Sequence, residues 1–204
     1  LYRRMLPVFV KSGARVVAPD LFGFGRSDKP VADEWYTFTR HRDSLLSFVR
    51  SLDLRNITLV CQDWGGILGL TLPLDDPQRY TRLLVMNTAL ATGNQSLGEG
   101  FEAWRAWVNA NPDLRVGALM QRSCRHLTPA EVAAYDAPFP DESYKSGPRQ
   151  FPLLVPISPE DPAVPANRAA WQELERFEKP FLTLFSDGDP VTRGLDVPTT
   201  EVPA

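Results

Sequence analysis

Ile57-Thr58-Leu59-Val60-Cys61-Gln62-Asp63-Trp64-Gly65-Gly66 decides how this chain is read. A short apolar run stops at a carboxylate, and small residues follow. That is the pattern of a strand that enters a sharp turn and leaves it as a helix, with one side chain presented at the tip. The residues two before and two after the tip, Cys61 and Gly65, are expected to be small because they crowd neighbouring backbone, and the tip itself is expected to be strained. Serine is the usual occupant of the tip. Here it is Asp63.

That exchange changes the chemistry. A hydroxyl must lose a proton before it attacks, whereas a carboxylate is already ionised at neutral pH. It can displace a leaving group from saturated carbon and form an alkyl ester, which water then opens at the carbonyl carbon. The plainer reading makes Asp63 an N-cap for the following helix. The glycines behind Trp64 and the small residue at 61 favour the nucleophile. Trp64 offers an indole N–H, a donor without acceptor character. Beside the nucleophile it could hold a departing halide, or it could simply pack under a lid.

The rest of the composition narrows the setting. With 204 residues the chain can bury a core as one domain. Its 43% hydrophobic and 23% charged content is ordinary for a globular protein, and a net charge of -3 without a basic run argues against nucleic acid as a partner. No apolar run approaches membrane-spanning length. The two cysteines, Cys61 and Cys124, lack metal-site spacing, and a reduced, cytoplasmic setting is expected. Nineteen prolines, dense between residues 129 and 165, predict a loop-rich region there. A Leu at position 1 and an unpatterned stretch from 194 to 204 suggest that both ends are cut.

Along the chain, residues 2–11 read as a helix if Pro7 lies in its first turn. Residues 14–19 read as a short buried strand, and the glycine-bearing loop 20–30 lacks phosphate-loop spacing. Residues 37–52 read as an amphipathic helix with Leu45, Leu46, Phe48, Val49 and Leu52 inward. Strand 57–61, helix 64–74 and strand 82–87 follow. Alternating strands and helices predict an α/β fold with a parallel sheet and crossover helices. Ligands then sit outside the carboxyl ends of the strands, where Asp20, Asp63 and Asn87 fall. Short helical pieces at 100–108, 116–122 and 129–135 predict an inserted helical cap. Helix 168–177 and strand 181–185 return to the core. The expected division is 1–92 for the first part of the core, 93–167 for the cap and 168–204 for the remaining core.

A hydrolase of this design needs a nucleophile, an acid and a histidine, in that chain order. Asp189 follows the last strand and is preferred as the acid over Asp187, two residues earlier. Both could instead serve only the turn around Gly188. His41 and His126 precede the acid, and both read as surface residues. The base is therefore expected outside this sequence. The backbone N–H of Trp64 supplies one of the two donors an oxyanion hole requires.

The chain resembles the haloalkane dehalogenases of the α/β-hydrolase superfamily over about residues 1–195. Three stretches carry the resemblance. They are Gly13-Ala14-Arg15-Val16-Val17-Ala18-Pro19-Asp20-Leu21-Phe22-Gly23-Phe24-Gly25-Arg26-Ser27-Asp28-Lys29-Pro30, then Leu54 through Gly66 with its Gln-Asp-Trp-Gly-Gly turn, and Ala134-Tyr135-Asp136-Ala137-Pro138-Phe139-Pro140-Asp141. The resemblance implies that Asp63 is the nucleophile, Trp64 a halide-holding indole and oxyanion donor, and Asp189 the acid that orients a histidine lying beyond Ala204. It places the second oxyanion donor on a loop before Leu1. At the position of the family's second halide-holding tryptophan this sequence has Ser123, with Trp104 or Trp107 as candidate replacements. The implied partners are a small apolar halogenated substrate and water, with no cofactor, no metal, no nucleic acid and no membrane, and the intact enzyme is expected to be a monomer. Two other readings are open. An epoxide hydrolase would use the same Asp with cap tyrosines such as Tyr135 and Tyr144. A non-catalytic hydrolase-like protein would only bind small ligands.

Overall fold

The computed structural model describes residues 2–94, 97–189, 191 and 192. Leu1 and the stretch from 194 onward, both discussed above, lie outside the described residues. Three parallel strands form the sheet in the order β1-β2-β3: β1 is Ile57–Gln62, β2 is Tyr80–Met86 and β3 is Phe181–Leu184. Cys61 aligns with Val85 and Gln62 with Met86, and Val85 in turn aligns with Thr183. The carboxyl ends of all three strands therefore lie side by side.

The described residues form eight α-helices. They are α1 (Leu6–Lys11), α2 (Phe38–Ser51), α3 (Trp64–Gly69), α4 (Glu99–Ala110), α5 (Val116–Ser123), α6 (Pro129–Asp136), α7 (Ser146–Leu154) and α8 (Val164–Leu174). Local chemistry explains several of their limits. Pro7 does lie in the first turn of α1, where its missing N–H costs nothing. Thr37 caps α2 by accepting from the Arg40 backbone N–H, and Thr128 and Glu131 form a reciprocal capping box at α6. Among the described residues, no helix is long and apolar enough to cross a membrane.

Four sequence expectations change. Residues 14–19 carry no regular secondary structure and join no ladder of the described sheet, and Val17 is exposed, so the hydrogen bonds a strand requires are not made there. The helix after the turn ends at Gly69, and a separate 3-10 turn covers Leu72–Leu74, with Pro73 inside it. The helix expected at 168–177 instead spans Val164–Leu174, opened by Pro165 in its first turn. The proline-rich region holds an unexpected helix, α7, despite Pro152 in its interior. Burial of Gly147, Phe151 and Pro152 offsets the backbone bond that Pro152 cannot make.

Two apolar clusters matter for the site. Cys61, Leu70, Leu83, Val85, Leu90, Ala170, Leu174 and Phe177 pack α8 on the sheet. The other cluster gathers Tyr36, Phe38, Trp64, Ile67, Leu68, Phe101, Phe151, Val155 and Ala163, and so ties α2 and α3 to α4 and α7. The α7 attachment is close. A Cβ on Gly23 would lie 2.9 Å from the Gly147 Cα. Buried Ser146 donates to the Val31 carbonyl at 2.8 Å, and Arg149 spans Ser146 and Asp33 at 3.0 Å each.

Candidate active site

Asp63 stands at the junction of β1 and α3 with φ 53° and ψ -129°, a combination that L-residues rarely hold. Its neighbours account for its persistence. The Asp63 N–H donates to the Asn87 carbonyl at 3.0 Å, and its own carbonyl accepts from Gly66 N–H, Ile67 N–H and the Thr88 hydroxyl at 2.9, 3.1 and 2.6 Å. The backbone of Asp63 thus caps α3, while its side chain makes no capping bond. That separates it from an ordinary N-cap aspartate, whose carboxylate is consumed by the helix.

The steric demand of the turn falls one residue later than the sequence suggested. A Cβ on Gly65 would sit 3.8 Å from the Cys61 Cβ, an ordinary contact, whereas one on Gly66 would collide with the Thr88 side chain. Gly66→Ala is therefore expected to destabilise the protein by about 1–3 kcal/mol, as overpacking does. Gly65→Ala should be neutral or slightly stabilising. Urea unfolding of the two variants checks the contrast, and equal losses would contradict it.

The Asp63 carboxylate is reached by solvent, but protein surrounds it on most sides. That surrounding raises its pKa, the Trp64 backbone N–H pulls it back down, and the charge of Asp189 adds to the rise. Tyr2, in the 3-10 turn Tyr2–Arg4, is a neighbour that sequence reasoning missed. Its phenol is pushed up to about 12 by burial and then by the charges of Cys61 and Asp63. The next residue, Arg3, reaches Glu131 at 2.6 Å and Tyr135 at 3.2 Å on α6.

Asp189 lies on the loop after β3 and is tied to the elbow through Asn87. The Asn87 amide donates to the Asp189 carboxylate at 3.1 Å and to the Thr192 hydroxyl at 2.9 Å, while the Asn87 carbonyl holds the Asp63 N–H. Burial pushes the Asp189 carboxyl up, but hydrogen bonds from Thr192, Val191 and Asn87 outweigh it and leave the group below the usual range. Asp187 is exposed. Asn87→Ala removes the link and should cost about 1–3 kcal/mol, read as a fall in thermal midpoint. An unchanged midpoint would show that the link contributes nothing.

The remaining candidates separate by burial. Trp64 is 9% exposed, and no described residue accepts from its indole N–H. Trp104 packs against the same cluster as Trp64 and stacks on Trp107 at 5.7 Å. Trp107 is itself 37% exposed. Ser123, at the end of α5, is exposed and is not part of that cluster. His126 is exposed, as expected. The expectation for His41 is overturned: it is fully buried among Trp35, Tyr36 and Phe151, because it continues the inward stripe of α2 that Phe38, Leu45 and Val49 define at helical spacing. Among the described residues no group of three or more His, Cys, Asp or Glu is arranged to hold a metal.

Comparison with known proteins places this geometry. The family model described as the alpha/beta hydrolase fold matches residues 1–198. A haloalkane dehalogenase of Mycobacterium marinum is 47% identical over 199 residues, covering 97% of this chain and 67% of that protein. The chain belongs to the haloalkane dehalogenase family. Another such dehalogenase, from Psychrobacter cryohalolentis, is 53% identical over 197 residues, and the chain spans 65% of its length. Among solved structures, a haloalkane dehalogenase from Paraglaciecola agarilytica, described as tetrameric, superposes with a TM-score of 0.92 at 40% identity, covering 98% of this chain and 67% of that one.

Proposed function

We propose that Asp63 displaces halide from a haloalkane, a reaction for which the family relationship and the elbow geometry are the support. The observation that carries the reading is a carboxylate at a strained tip that does no capping work and faces solvent beside an unengaged indole N–H. One Asp63 oxygen attacks the saturated carbon. The carbon–halogen bond breaks, the electron pair leaves with the halide, and an alkyl ester joins Asp63 to the substrate. The Trp64 N–H receives the halide, with Trp104 as the second aromatic wall, and helices α4–α7 act as the cap that keeps water from the departing ion. Asp189 orients the base that activates water for ester hydrolysis, and the products are an alcohol and halide.

Neither histidine of this sequence can serve as that base. His41 is fully buried among aromatic rings, and His126 is exposed. The chain of residues 1–204 should therefore release one equivalent of bromide from 1,2-dibromoethane and stop at the ester. Repeated turnover by this chain would overturn that part of the reading. The epoxide alternative gains nothing from the geometry, since the Tyr135 hydroxyl is engaged by Arg3 and Tyr144 is 39% exposed.

A further inference from the structure

His41 is a fully buried titratable side chain that the proposed reaction leaves unused. It has no exposed surface, and neither Nδ1 nor Nε2 has a hydrogen-bond partner. Its surroundings are aromatic: Tyr36 stacks at 5.8 Å, Trp35 meets it edge-on at 6.0 Å, and Phe151 edge-on at 4.7 Å. Phe151 in turn lies 4.6 Å from Trp64 and 4.6 Å from Phe24.

We propose that His41 is a positioning residue for Trp64: its small neutral ring, acting through Phe151, fixes the direction in which the indole N–H beside Asp63 points. Two unsatisfied buried nitrogens cost free energy that a phenyl ring would not, so packing alone does not explain an imidazole here. A five-membered ring is smaller than a phenyl. In a close-packed box, a larger ring displaces Phe151 towards Trp64. The charged and titratable groups on the elements around His41 are engaged elsewhere. The Tyr36 hydroxyl donates to the Pro30 carbonyl, Arg40 to the Trp35 carbonyl, Arg42 to Thr71 and Asp75, and Arg149 to Asp33. Asp63, at the start of α3, is exposed. Nothing therefore compensates a proton on His41, and protonation should disturb the same stack.

The inference rests on the halide role of Trp64, and the test separates the two. Bromide titration, followed by tryptophan fluorescence, is run on the protein, with Trp64→Phe identifying the signal that belongs to Trp64. His41→Phe should weaken bromide binding about tenfold, the scale of a sub-ångström to ångström misplacement. The ratio of wild-type to variant affinity should also shrink as pH falls towards 4, as the wild-type imidazole takes up its proton. Phe151→Leu should weaken binding without that pH-dependent convergence, and it provides the test of the relay should His41→Phe not fold. Absence of any Trp64-dependent signal in the wild type overturns the halide reading and the inference with it. A clear wild-type signal with unchanged affinity in His41→Phe, or in Phe151→Leu, overturns the positioning role alone.

Discussion

Asp63→Asn is expected to abolish alkyl-ester formation. Incubated with 1,2-dibromoethane, the wild-type chain should gain the mass of one bromoethyl group, and the variant should gain none. The amide is nearly isosteric, so the elbow should survive. Its backbone bonds to Asn87, Gly66, Ile67 and Thr88 do not involve the side chain. What disappears is the anionic oxygen that the proposed reaction uses to attack carbon. Removing a nucleophile from a preorganised site costs on the order of 10⁴-fold or more in rate, which leaves no adduct on the timescale of the experiment. Intact-mass spectrometry reads the result directly, and an adduct that survives in Asp63→Asn would move the nucleophile to another residue.

The second large effect is acid sensitivity at His41. Burial lowers its pKa from 6.5 to about 4. Between those values the unfolded chain binds a proton that the folded one refuses. The stability contributed by a neutral His41 is complete above pH 6.5 and is lost as pH falls through the window towards 4. A shift of this size corresponds to about 3 kcal/mol by pH 4. Urea unfolding of the wild type and His41→Phe at pH 7 and pH 4 measures it. The variant takes up no proton at this position, so its stability should fall by about 3 kcal/mol less between the two pH values. Parallel falls in both proteins would show that His41 is not the acid-sensitive group.

The elements read most securely from sequence are those whose signals are local. A strand that ends at Asp63 and a helix that begins at Trp64 follow from apolar run, tip and glycines within ten residues. The cap of α2 at Thr37 and the capping box of α6 are likewise short-range chemistry, although only the structure brought them out. His41 shows the limit. The helix that carries it was legible, but its inner face was read from Leu45 onward, and one more step of the helical period would have reached position 41. What makes that face inner is Phe151, which lies 110 residues away in sequence. The same holds for α7, where two prolines and a glycine argued for a loop until burial against the 20–30 loop was visible.

By itself, the sequence determined the family and the elbow with its carboxylate. The requirements there are stereochemical: a rare φ/ψ pair at the tip, and small residues where chain passes chain. Only the tertiary structure decided that Gly66 rather than Gly65 carries the steric demand. It also decided that Asn87 joins Asp63 to Asp189, that Trp104 rather than Ser123 packs against the cluster that holds Trp64, and that an imidazole lies buried among aromatic rings. Each of those depends on which surfaces meet, and burial and hydrogen-bond partners are set by contacts between segments far apart in the chain.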